Sequence, residues 1–226
     1  MNGKTHAQGQ MPFPEAWWAF DLGRYRSSKN STYFRYEYGD LPKIKDINSL
    51  ESLDWLGPLD KNADPPDRET AIATAARSHN LKLPDSFDTL MSSPELQDRI
   101  RSCTGCYFTL PDRFVPCPTS ESGLIARFYN DQQDVLRWYL YLTPARDEYV
   151  LVTTKELETT PPPPLSDEDY LHVRRNTWVC AHSFTEFVYR WYIENSIWFK
   201  VSEANDEDKL TDAERAYLAH FHPSGQ

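Results

Sequence analysis

A chain of 226 residues is long enough to bury roughly 70% of its extended surface, as one large domain or two small ones. Its 7 Trp, 13 Tyr and 11 Phe carry much of a 39% apolar content, so an aromatic core is expected; with only 8 Gly and no G-x-G-x-x-G or G-x-x-x-x-G-K-[ST] run, nucleotide binding by those loops is set aside. The net charge is −10, and from Asp147 to Gln226 fifteen Asp/Glu face seven Lys/Arg, which argues against nucleic acid and anionic membranes and for a cationic protein as partner.

No apolar leader occupies Met1 to Glu15, and the run Val135 to Leu142 is broken by Arg137 and too short for a membrane span. The four cysteines read as reduced thiols, so the expected compartment is the cytoplasm. Within the aromatic N-terminal segment, Tyr33 to Tyr38 alternates Tyr33, Arg35, Glu37 against Phe34, Tyr36, Tyr38, which predicts a strand. Leu50, Leu53 and Leu56 suggest a short helix ending at Gly57-Pro58.

From Asp67 to His79 the residues Ala71, Ile72, Ala75, Ala76 and His79 share one helical face, and Asn80 supplies a stop. Leu83-Pro84-Asp85 opens a second helix with Phe87, Leu90 and Met91 at i, i+3, i+4, and Ser93-Pro94 caps a third carrying Leu96 and Ile100. The segments Cys106–Leu110, Gly123–Asn130, Val135–Leu142 and Tyr149–Thr154 then read as an antiparallel meander. In the third of these, Leu136, Trp138, Leu140 and Leu142 face one way and Val135, Arg137, Tyr139 and Tyr141 the other.

Residues Lys155 to Asp169, with Pro161–Pro164 and five carboxylates, are expected to form a surface loop. Asn176 to His182 reads as a last strand. Ser183-Phe184-Thr185-Glu186 matches the S-x-x-E box that starts a helix. On that helix Phe184, Phe187, Val188, Trp191, Asn195, Trp198 and Phe199 make one stripe, and Tyr189, Ile193 and Ile197 a second one that could receive Ala216, Tyr217 and Phe221.

Cys103-Thr104-Gly105-Cys106 with Cys117 downstream could hold zinc, but the second pair of ligands that structural zinc usually shows is missing, and buried free thiols are the commoner outcome. A thioredoxin-like role fits poorly, because this C-x-x-C precedes a strand. Cys180 and His182 could pair as nucleophile and base, yet a His and a Cys both packed in the core are the more frequent case. The acidic runs Asp167-Glu168-Asp169 and Asp206-Glu207-Asp208 are either solubilising loops or the surface that meets a basic partner.

Leu83-Pro84-Asp85-Ser86-Phe87, the segment Cys103 to Phe108, Phe128 to Gln133 leading into Trp138 to Leu142, and Cys180 to Phe184 with Phe187, Tyr189-Arg190 and Glu194-Asn195 resemble the SUKH superfamily. The likeness spans Leu83 to Phe199. It implies an α+β fold, a twisted antiparallel sheet flanked by helices, in one domain over 1–226: an aromatic N-terminal segment 1–66, helices, meander and aromatic helix over 67–200, and an acidic C-terminal helix and tail 201–226. The resemblance also implies an immunity protein that binds and neutralises a polymorphic toxin, often a nuclease, with fungal relatives acting as regulatory scaffolds. No catalytic residue and no cofactor comes with it. The Pro-rich acidic loop and the tail beyond Val201 depart from simpler members. The expected function is therefore non-enzymatic protein binding; the alternatives are a scaffold without a toxin partner and, further off, a zinc or thiol enzyme.

Overall fold

The computed structural model describes residues 11–28, 31–58, 70–120, 122–160, 162 and 164–221. Strands β1 (Trp17–Ala19) and β2 (Phe34–Tyr36) form an antiparallel ribbon with Trp18 opposite Arg35. A helical layer follows: α1 (Ala71–Ser78), α2 (Asp85–Met91) and α3 (Pro94–Arg99). The meander comprises β3 (Tyr107–Phe108), β4 (Val115–Pro116), β5 (Leu124–Asn130), β6 (Arg137–Leu142) and β7 (Glu148–Thr153). The chain continues through α4 (Asp167–Arg175), β8 (Thr177–Ala181), α5 (Phe184–Trp198) and α6 (Asp212–Leu218), with a π-helical turn over Phe199–Glu203 between the last two helices.

The larger sheet runs β3-β5-β6-β7-β8, with β4 also on β5, and every pair is antiparallel, so the molecule is α+β with helices flanking an antiparallel twisted sheet. The outer edge of β8 is closed by the N-terminal segment: Ala16 donates its N–H to Val179 and Val179 donates to Pro14, a parallel bridge that leaves this stretch no free edge.

Alternation along β6 divides two cores. Leu136, Trp138, Leu140 and Leu142 enter the larger one, beneath α5, while Tyr139 and Tyr141 enter a smaller one with Phe13, Cys117, Ile125, Leu151 and Val179. Trp138 meets Trp191 of α5 at 5.2 Å between ring centroids, and Phe187 and Trp191 stack at 5.8 Å. Edge-to-face and offset-stacked pairs add about 0.5–1.5 kcal/mol each beyond the area they bury. The larger core takes in Trp17 and Phe20 near one end of the chain and Leu210 and Tyr217 near the other.

Two irregularities escape strict alternation. The β5–β6 register shifts at Arg127/Tyr129, so the consecutive Phe128 and Tyr129 both face the larger core; the β7–β8 register shifts at Val150/Leu151, and Cys180 and Ala181 do the same. A bulge re-aims side chains in this way by setting two residues against one.

Helix ends follow local chemistry. The Thr70 hydroxyl accepts from Ala73 N–H to start α1, and Asn80 at φ 54 ends it, with Leu81 N–H on Ala76 and Asn80 N–H on Arg77. The expected helix began at Asp67; residues 67–69 lie outside those described. In place of one helix through Leu50, Leu53 and Leu56 the chain forms two 3₁₀ turns, Ile47–Leu50 and Asp54–Leu56, because Leu53 between them takes φ 60.

Three expectations need correction. The segment 155–169 is not all loop: Leu157 is buried in the smaller core, and α4 opens at Asp167 because Ser166 caps it, its hydroxyl accepting from Asp169 N–H. Residues 161 and 163 of the proline run lie outside those described. Ala216 is exposed, and the buried residues of α6 are Glu214, Tyr217 and Leu218, so this helix meets α5 through polar atoms as well as apolar ones. At the start of α5 the Ser183 hydroxyl accepts from Glu186 N–H, as the S-x-x-E pattern requires, but the Glu186 carboxylate reaches one residue further back to His182 N–H.

Candidate partner-binding surface

The two acidic runs occupy different settings. Asp167, Glu168 and Asp169 make the first turn of α4, all three exposed, and none forms an ion pair among the described residues; Asp169 takes the Ser166 hydroxyl at 2.6 Å. Their negative charge sits against the unsatisfied N–H groups of the helix start, while His172, Arg174 and Arg175 occupy the last turn, the arrangement the helix dipole favours. Val173 anchors the helix in the smaller core, so the acidic turn is presented from a fixed element and not from a loose loop.

Asp206, Glu207 and Asp208 are engaged by their own protein. Lys209 pairs with Asp206 at 2.7 Å, Arg24 pairs with Glu207 at 2.5 Å, Tyr25 donates to Glu207 at 2.9 Å, and Arg215 donates to the main-chain oxygens of Glu207 and Asp208. The Lys209 bond holds the Asp206 carboxyl below its ordinary range. No hydrogen bond or ion pair joins the two runs among the described residues, so the fold does not assemble them into one cluster.

A different set of charged residues is gathered on α5, at positions 186, 190 and 194. Glu194 is fully buried; Arg26 donates to both of its oxygens at 2.7 and 2.5 Å, Trp17 Nε1 donates at 3.0 Å and Tyr217 at 2.6 Å. Burial pushes this carboxyl up, but the Arg26 charge and the four bonds outweigh it and hold the group below the usual glutamate range. Two turns back, Glu186 accepts from Tyr38 at 2.6 Å, from Arg190 at 2.9 Å and from His182 N–H at 3.0 Å, and is likewise held low against desolvation. Arg190 also donates to Pro42 O at 3.1 Å and to the Tyr217 hydroxyl at 3.4 Å. The network ties the N-terminal segment and α6 to α5. Its signal was present in the sequence as Glu-x-x-x-Arg-x-x-x-Glu at helical spacing between the aromatic stripes, and periodicity counted on apolar residues alone passes over it.

The thiols lie apart. Cys103 and Cys106 flank a tight turn in which Ser102 O accepts from Gly105 N–H, Gly105 takes φ 72, and Asn195 of α5 accepts from Cys103 N–H at 2.7 Å. Both pack against the larger core, whereas Cys117 is buried in the smaller one, on the opposite face of the sheet. The fold therefore does not bring Cys117 to Cys103 and Cys106, and no group of three His, Cys, Asp or Glu side chains among the described residues could hold a metal ion. Desolvation pushes the Cys103 thiol up to about 12 and raises Cys106, Cys117 and Cys180 as well, which keeps all four protonated at neutral pH.

The pairing of a cored Cys180 with a cored His182 is half wrong. Cys180 is buried, but β8 ends at Ala181 and His182 is exposed, stacked on Tyr38 at 4.9 Å with its Nε2 2.9 Å from Glu15. No helix among the described residues is long and apolar enough to cross a membrane. No family model, curated protein or solved structure matches the chain.

Proposed function

We propose that the protein is a non-enzymatic binding module for a basic protein, and that it acts in the cytoplasm as an immunity protein that neutralises a cationic toxin, the role its resemblance to the SUKH superfamily implies. The observation that carries this reading is the unequal use of carboxylates. Glu186 and Glu194 inside the fold are closed in ion pairs, those of 206–208 are largely occupied, and Asp167, Glu168 and Asp169 stand exposed without a base. The first turn of α4 is thus the part of the acidic surface with most charge to offer. A nuclease toxin is cationic where it meets a phosphate backbone, so an acidic surface competes for that site.

The test is to purify the protein with the toxin domain encoded beside it and to measure association by stopped flow. Complementary charge raises association from about 10⁵–10⁶ to as much as 10⁸–10⁹ M⁻¹s⁻¹ at low salt. A rate that falls steeply between ~50 and ~300 mM salt supports the reading. A complex that does not form, or forms at a rate indifferent to salt, removes it.

A further inference from the structure

The outward face of α4 carries both signs of charge around an apolar centre. At about 100° per residue, Asp167, Glu168, Leu171 and Arg175 fall within one arc of roughly 100°, opposite the buried Val173. All four are exposed, and so is Arg174 beside them; Leu171 keeps 43% of its surface. Asp167 and Glu168 lie four and three residues before Leu171, and Arg175 and Arg174 four and three residues after it. A single exposed leucine is ordinary on a protein surface, but this one stands at the midpoint of a charge pattern that inverts about it.

Within one helix these charges cannot meet. Side chains pair at separations of three or four residues, whereas Asp167 is seven residues from Arg174 and eight from Arg175. None of Asp167, Glu168, Arg174 and Arg175 forms an ion pair among the described residues. A second α4 laid antiparallel on the first changes this. With Leu171 against Leu171 on a twofold axis, the acidic turn of one copy and the basic turn of the other both lie about 6 Å along the helix from the centre, side by side. Both ends pair at once, and the two leucines cover each other. A face that complements itself in this way is what a twofold, isologous interface requires. A uniformly basic partner can use only the acidic half of the face, because the other half meets it with like charge at Arg174 and Arg175; a second copy uses all of it.

We propose that the protein self-associates as a twofold dimer through α4, with Leu171 against Leu171 and with Asp167 and Glu168 paired to Arg174 and Arg175 of the second copy. The dimer stands without any basic partner. Its consequence, that high protein concentration covers Asp167 and Glu168 and holds the acidic turn back from a basic protein, rests on the function proposed above. A helix of nine residues spans only about 13 Å, so the contact belongs to the small end of specific interfaces and the dimer is weak.

The test uses the protein alone, so its outcome is separate from that of the toxin experiment. Sedimentation velocity from ~10 µM to ~1 mM at ~50 mM salt should show a monomer–dimer equilibrium with Kd between ~10 µM and ~1 mM, the range of small interfaces, weakened several-fold at ~300 mM salt. Leu171→Glu should remain monomeric throughout at an unchanged thermal midpoint, and so should the double variant Arg174→Glu, Arg175→Glu; if the double variant loses stability, Leu171→Glu alone decides. The twofold geometry has its own readout, because a residue on the axis meets itself. Under copper phenanthroline, Leu171→Cys should form a crosslinked dimer at least about tenfold faster than Val135→Cys, a substitution at another exposed apolar position. A chain still monomeric at ~1 mM, a Leu171→Glu variant that dimerises as the wild type does, or equal crosslinking at 171 and 135 would overturn the proposal.

Discussion

Glu194 on α5 and Glu168 on α4 are both helical carboxylates in the acidic last third of the chain, and the fold puts them to opposite uses. Glu194 has no exposure and four donors; Glu168 is exposed and forms no ion pair among the described residues. The first kind of carboxylate holds the N-terminal segment to the helix and cannot be removed cheaply. The second contributes little to stability and remains available to another molecule. Formal charge counted along a sequence does not separate the two.

The largest effects belong to the interior. Glu194→Ala leaves Arg26 buried and uncompensated, and a loss of about 3–5 kcal/mol in urea unfolding is expected. Trp138→Ala, which opens the larger core against Trp191 and Phe187, should cost about 3–5 kcal/mol in the same measurement. If Glu194→Ala unfolded at the wild-type midpoint, the division between structural and available carboxylates would be lost.

The same division appears in the pH dependence. Glu186, Glu194 and Glu214 all have folded values below the ordinary 4.5. A carboxyl held low in the folded state stabilises above its unfolded value, so this stability is complete above pH 4.5 and is lost as pH falls from there through the folded values. Glu148, raised by desolvation, gives a slope of opposite sign just above 4.5. Denaturant midpoints measured from pH 7 downwards should therefore fall steeply on the acid side, and Glu194→Gln should flatten that limb. A wild-type limb no steeper than that of Glu194→Gln would contradict the assignment.

How much of this was legible beforehand depends on where local rules were sufficient. The meander, the division of β6 into a Leu/Trp face and a Tyr face, and the capped helix at Ser183 follow from alternation and capping, and the structure has them. The strand expected over Tyr33 to Tyr38 is present as the shorter β2, but its partner β1 and the short β4 were not readable, because three- and two-residue strands carry too little period to stand out. The bulges at Phe128 and Cys180 are set by pairing partners far along the chain. For the acidic surface, residue identities were correct as charges but silent on neighbours: Arg24 lies 183 positions from Glu207, and only the fold shows that this carboxylate is occupied. Asp167 was expected in a loop because the proline run overshadowed the Ser166 cap one residue ahead of it.

Smaller effects sharpen the comparison at the surface. Arg24→Ala removes the cation from Glu207, which keeps the Tyr25 hydroxyl, while leaving Asp206 on Lys209, so association with the basic partner should rise by a few-fold at low salt, since changes in rim charge act on the association rate. The thermal midpoint should hardly move, because an exposed pair of this kind contributes about 0–1 kcal/mol. A rate that fell on removing Arg24 would show the guanidinium itself to be part of the contact.

The most direct test of the central claim replaces Asp167, Glu168 and Asp169 by Asn, Gln and Asn, and separately Asp206, Glu207 and Asp208 in the same way, and measures association with the basic partner at ~50 mM salt, where screening is weak. Loss of the α4 charges should also destabilise by about 0.3–1 kcal/mol per favourable position through the helix dipole, a change too small to unfold the protein. The account predicts a drop in association rate of at least about tenfold for the 167–169 variant and a smaller drop for the 206–208 variant. Equal effects of the two variants, or a 167–169 variant that binds at the wild-type rate, would contradict it.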